Sequence, residues 1–152
     1  MQFQIEDMPR QKVIYMRHIG PYGAGNKELM ENLKCWAKDN GILNESSIIL
    51  GIARDDPAVT LPANCRYDVC ITVAEQYEKN SCDKDINITV LPGEKYAVFT
   101  IGHTAEDIQK AWMEIMPGLT RKGFHIDISR PILERYAPDM ISKHLCEICV
   151  PV

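Results

Sequence analysis

The chain has 152 residues, 45% of them apolar and 25% charged, the composition of an ordinary folded domain with room for a proper core. Its formal charge of −4 gives no basic field to hold a phosphate backbone. No apolar run approaches the roughly 18 residues that cross a bilayer, and the opening MQFQIEDMPRQK lacks the apolar stretch of a secretory signal. Direct nucleic-acid binding and a membrane span are therefore set aside, and a single cytoplasmic domain over residues 1–152 is expected.

In chain order, Gln2–Ile5 reads as an extended edge segment and Lys12–Ile19 as a strand rich in β-branched and aromatic residues. Gly25–Asn40 has helical spacing: Leu29, Met30, Leu33, Trp36 and Ala37 form one apolar stripe, and Gly41 stands where a C-terminal cap is wanted. Strands follow over Ser47–Ala53 and Arg66–Ala74, separated by the proline-bearing loop Asp55–Asn64. After a polar loop, Gln76–Asp85, come strands Ile86–Val90 and Tyr96–Ile101. Thr104–Lys122 is the second helix, opened by Thr104 and Asp107 in a capping-box arrangement and striped by Ile108, Ala111, Trp112, Ile115 and Leu119. Gly123 caps it, and Pro117 should kink or end it. Strands Pro131–Tyr136 and Leu145–Val150 complete the chain.

Six cysteines (Cys35, Cys65, Cys70, Cys82, Cys146, Cys149) read as reduced thiols in a chain without a secretory signal. Cys146 and Cys149 form a CxxC, but no second pair at metal-ligand spacing accompanies it. In a strand, residues three apart point to opposite faces, so the two sulfurs diverge. No metal and no cofactor are expected.

The chain also repeats itself. Shifting by 82 lays Ile101-Gly102 on Ile19-Gly20, Trp112 on Met30, Ile115 on Leu33 and Gly123-Phe124 on Gly41-Ile42. One residue of slip sets Ile132-Leu133 on Ile49-Leu50 and Glu134 on Gly51, and a shift of 79 sets EICVPV (Glu147–Val152) on DVCITV (Asp68–Val73). Each half, about 1–75 and 86–152, reads strand-helix-strand-strand. Two such modules about a pseudo-two-fold axis make an α+β fold: one antiparallel sheet, both helices on one face, and a central groove between them suited to a small molecule.

Glu134 is where the halves differ most. It alternates with Ile132 and Tyr136, so on the groove face it would be a carboxylate among apolar and aromatic groups. Such burial costs several kcal/mol and needs a compensating partner, such as a cation or a proton in transit. Trp112 on the second helix, Tyr136 beside Glu134 and Tyr22 at the mouth of the first helix could surround a lipophilic cation. Alternatively, Glu134 is a solvated carboxylate paired with Arg135 or Lys143, Trp112 belongs to the core, and Tyr22 belongs to a turn. Nucleophile-elbow, zinc-protease, phosphate-loop and dinucleotide fingerprints are absent, and His18, His103, His125 and His144 share no metal-ligand spacing.

VIYMRHIGPYG (Val13–Gly23), LPGEKYAVFTIGHT (Leu91–Thr104) with Trp112 downstream, PILERY (Pro131–Tyr136) and EICVPV (Glu147–Val152), in this order, resemble the GyrI-like family. The family is also known as the effector-binding domain of AraC- and MerR-type transcription regulators. The resemblance implies the duplicated fold above and a groove that receives drugs, often lipophilic cations, over a floor glutamate matched by Glu134. It places Tyr136 and Cys149 among the groove-lining positions, matches Trp112 and Tyr22 to recurrent aromatics, and gives Glu147 a family position without a clear role. Where relatives often carry tyrosine on the last strand, Cys149 leaves a roomier wall that suits a cation less well.

The whole chain is taken up by this domain, which resembles the stand-alone members. The expected function is binding or sequestration of a hydrophobic small molecule, cations among the candidates, with Glu134 supplying charge, Trp112 and Tyr136 stacking, and Met30, Ile52 and Ala53 filling the other half. One alternative is a hydrolase of a small electrophilic toxin, with Glu134 as general base and Tyr136 or Trp112 orienting the electrophile. The other is a protein partner, either a DNA gyrase modulator or an accessory to a regulator. Haem binding ranks last, since no histidine is well placed.

Overall fold

The computed structural model describes residues 2–79 and 83–152, so Cys82 and part of the polar loop Gln76–Asp85 lie outside the described residues. Its strands are β1 (Gln4–Met8), β2 (Gln11–Ile19), β3 (Ile49–Ala53), β4 (Arg66–Thr72), β5 (Asn87–Leu91), β6 (Glu94–Gly102), β7 (Leu133–Tyr136) and β8 (Leu145–Pro151). Helix α1 spans Ala24–Asp39, α2 spans Ala105–Arg121, and a single-turn α3 spans Pro138–Ile141. The strands pair in the order β1-β6-β8-β7-β3-β4-β2-β5, with every pairing antiparallel. Read from the middle outward, β7 mirrors β3, β8 mirrors β4, β6 mirrors β2 and β1 mirrors β5. The pseudo-two-fold passes through the β3–β7 pair, where Gly51 faces Glu134.

The helix ends obey the same symmetry. Past α1, the Ile42 amide donates to the Ala37 carbonyl (2.8 Å) and the Gly41 amide to Lys38 (3.2 Å). Past α2, Phe124 donates to Leu119 and Gly123 to Thr120, both at 3.0 Å. Both are Schellman endings, and they need the left-handed φ of Gly41 (69°) and Gly123 (83°). At the start of α2 the Asp107 amide donates to Thr104 Oγ1 (3.1 Å), which forms the N-cap, while the Asp107 carboxylate accepts from the Thr104 hydroxyl (2.8 Å) rather than from its backbone amide, so only half of the capping box is made. Of the two outcomes expected of Pro117, a kink or an end, the end does not occur. The helix runs on to Arg121 because fully buried Ile115 and Leu119 anchor it on either side of the proline. Pro117 and Met113, the residue whose carbonyl loses its bond, are exposed.

Two apolar clusters lie on opposite faces of the curled sheet. On the helix side, Leu33 and Ala37 of α1 and Ala111, Ile115 and Leu119 of α2 pack on Ile14, Val69, Ile71, Ala97, Phe99 and Ile148. The other face gathers Val13, Leu50, Ile52, Cys70, Tyr96, Val98, Leu133 and Cys149. Cys146 belongs to the first cluster and Cys149 to the second, so the CxxC sulfurs point apart. Burial pushes each thiol up to about 12, which keeps it protonated.

The face away from the helices carries two ionic clusters at repeat-related positions. Fully buried Asp68 binds Arg17 (2.7 and 2.9 Å) and Arg54 (2.9 Å). At the matching place Glu147 binds Arg135 (2.7 Å), which also holds Glu6 (2.7 Å). These partners explain how carboxylates persist in a largely apolar layer.

Arg130 closes one corner of the sheet. Its guanidinium donates to Asp127 (2.7 Å) and to the carbonyls of Gly93 (3.0 Å), Lys95 (3.1 Å) and Val152 (3.0 Å), and it lies 5.1 Å from the Tyr96 ring centre. Arg130 first, then Ser129, lowers the Asp127 pKa from 3.8 to about 2. Stabilisation from this ionised carboxylate is therefore complete above about pH 4 and fades as the pH falls toward about 2. Asp127→Asn is expected to lower the melting temperature at neutral pH, with the gap from wild type closing across that acid window in a thermal-melt series. A gap that stays constant down to about pH 2 contradicts this.

Candidate functional site

Glu134 lies at the pseudo-axis on the helix side of the sheet, next to Gly51 on β3 and Ile148 on β8. It is half-buried. Tyr136 Oη donates to Glu134 Oε2 at 2.5 Å, and Tyr67 Oη, arriving from β4, donates to the same oxygen at 3.2 Å. Among the described residues, Oε1 has no hydrogen-bond donor. Burial, then the charge of Glu134, raises the pKa of both phenols, so both remain protonated donors.

Gly51 makes this arrangement possible. Tyr67 pairs in register with Ala53, and its ring crosses over Gly51 to reach Glu134. A Cβ on Gly51 would fall onto Tyr67 Oη and come within 3.5 Å of Glu134 Oε2. The missing side chain on one repeat thus leaves the space through which Tyr67 reaches the carboxylate of the other.

Further rings extend outward from this centre. Tyr22 meets Tyr67 edge-on at 6.1 Å between centroids, and His103 tilts against Tyr136 at 5.2 Å. Tyr22 is fixed by donating to the Arg66 carbonyl (2.8 Å) and accepting from the Asp55 amide (3.1 Å). The loops leading into the two helices are placed equivalently, with Gly20 N bound to Cys65 O and His103 N to His144 O, both at 2.8 Å.

The structure therefore brings Glu134, Tyr136 and, through Tyr67, Tyr22 together. Met30 on α1 and Trp112 on α2 are half-buried against the helix-side core. Ala53 follows Gly51 on the same alternation and is exposed. The pairing of Glu134 with Arg135 or Lys143 does not occur, since Arg135 turns to the opposite face.

Two expected lining residues are misplaced. Ile52 and Cys149, 1% and 0% exposed, belong to the cluster on the far side of the sheet, where Cys149 pairs with Leu133 and Val98. Period two decides this: the β8 residues that share a side with Glu134 are Cys146, Ile148 and Val150. The last strand therefore presents Ile148 and Cys146 to the site, and no roomier wall arises from Cys149.

Sequence reasoning missed Tyr67, His103 and the reason for Gly51. The signal for Tyr67 was present, since the overlay of DVC on EIC makes it the counterpart of Cys146 beside the axis. What was missing was the register that carries its ring across the glycine.

Comparison with known proteins gives the family and the fold. YosT of Bacillus subtilis strain 168, a candidate transcriptional regulator derived from the SPbeta prophage, is 40% identical over 153 residues, covering 100% of this chain and 99% of its own. A DNA gyrase inhibitor of Serratia proteamaculans is 26% identical over 113 residues, 74% of this chain and 71% of its own. The EcmrR C-terminal domain superposes with a TM-score of 0.76 at 17% identity, covering 99% of this chain and 98% of that one. The structure of SAV2435 bound to tetraphenylphosphonium superposes at 0.60 and 17% identity, covering 100% and 94%. With the profile of the GyrI-like small molecule binding domain matching residues 1–152, the chain belongs to that family.

Proposed function

We propose that this protein binds a lipophilic cation over Glu134, between α1 and α2. The observation that carries the reading is the uneven use of the carboxylate: two protonated phenols occupy Oε2, and Oε1 is left without a donor among the described residues. The phenols hold the carboxylate in one pose and spread its charge without neutralising it, so a cationic guest can satisfy the remaining oxygen. Aromatic faces on both sides supply apolar and cation–π contact, about 2 kcal/mol for a desolvated cation. The tetraphenylphosphonium in the SAV2435 structure has this chemistry.

Two cavities, of about 500 and 430 Å³, lie along β1 and α2, and neither touches Glu134. The names of the relatives leave room for a gyrase or regulator partner downstream of binding, and a pull-down separates these. A hydrolase reading would give the same Glu134 the task of general base.

Titration with tetraphenylphosphonium, followed by tryptophan fluorescence, tests the proposal. Glu134→Gln is expected to weaken binding by more than about tenfold, some 1.4 kcal/mol, with the urea midpoint unchanged. Equal affinity of the two proteins removes the carboxylate from the site. In a separate denaturation cycle, Gly51→Ala is expected to cost about 1–3 kcal/mol through the collision with Tyr67, and Tyr67→Phe in the same chain to recover part of it. Strict additivity contradicts the role assigned to Gly51.

A further inference from the structure

The C-terminal half of α2 leans over the sheet edge where β1 joins β6, and the contact there is incomplete. Glu114, Gly118, Arg121 and Lys122 border the cavity of about 430 Å³ whose floor is Phe3 and Phe99. Gly118 keeps it open, since a Cβ at that position would meet nothing within 4 Å. The neighbouring cavity of about 500 Å³ shares Phe3 and Lys122 and continues past Gln2, Gln4 and Thr100 to Glu147. Either volume lies within the usual range for small-molecule sites, about 300–1,000 Å³.

The lining has a definite chemistry. Phe3 tilts against Phe99 with 5.0 Å between ring centres and meets Phe124 edge-on at 5.5 Å, which makes the floor aromatic. Lys122 Nζ stands 4.9 Å from the Phe3 ring centre. Arg121 and Lys122 have no carboxylate partner among the described residues. Of the two acids in the walls, Glu147 is already held by Arg135, which leaves Glu114 alone against two cations. Cations at the end of a helix complement its C-terminal carbonyls, but that role needs neither an aromatic floor nor a gap at Gly118.

We propose that this cleft is a second binding site, for flat aromatic carboxylates, with the ring on Phe3 and Phe99 under Gly118 and the carboxylate at Arg121 and Lys122. It shares no lining residue with the Glu134 site and is opposite to it in charge preference.

The test is a ¹⁵N NMR titration of the whole chain with 2-naphthoate and, separately, with neutral 2-naphthamide. Naphthoate is expected to saturate shifts at Phe3, Phe99 and the last turn of α2, and to bind at least about tenfold more tightly than the amide. Replacing Arg121 and Lys122 together by Ala should bring naphthoate down to the affinity of the amide. Gly118→Leu, a change that favours helix, should abolish both, and Glu134→Gln should alter neither. Shifts confined to β7 and Tyr136, equal binding of acid and amide, or unchanged binding to the Gly118→Leu protein would each overturn the proposal.

Discussion

Two phenol hydroxyls converge on one oxygen of Glu134 at the place where the two repeats meet. The carboxylate lies on the pseudo-axis of a duplicated sheet, and at that place its repeat mate is also its cross-strand neighbour. Glycine on the facing strand leaves room, and Tyr67 from the next strand uses it to reach the acid. Tyr136 reaches it along its own strand, two residues on. Through Tyr22 and His103 the same contact connects with the loops that start both helices.

Much of this was legible in the sequence because the duplication supplied a second copy against which to check each reading. Helix stripes, the two glycine endings and the alternation of β-branched residues recur at a nearly fixed interval, and the sheet order follows from pairing the copies. Glu134 stood out for the same reason, as an acid whose counterpart is Gly51. The lining was harder to read. Ile52 and Cys149 are one residue out of phase with the groove, and a slip of one in a strand exchanges the faces. Tyr67 depends on the β3–β4 register, which the spacing of residues along the chain does not contain. Pro117 does not end its helix because buried Ile115 and Leu119 hold it on both sides, a tertiary contact that local helix rules do not include.

Duplication also explains how a small sheet tolerates so much charge. Asp68 and Glu147 occupy equivalent positions in the layer away from the helices, and both are served by arginine, but the stoichiometry is reversed. Asp68 has two guanidinium partners, whereas Arg135 has two carboxylates. Each cluster meets the requirement that a buried charge be paired, and together they sum to neutrality.

That reversal bears on the ancestry of the fold. Two identical copies of the first half would bring glycine against glycine at the centre, with no acid there for a guest. Two copies of the second half would set glutamates against each other, and each Arg135 would lose Glu6, which the first half supplies. The present halves have become complementary parts rather than interchangeable ones, and neither could be restored to a symmetric homodimer without first undoing its specialisation.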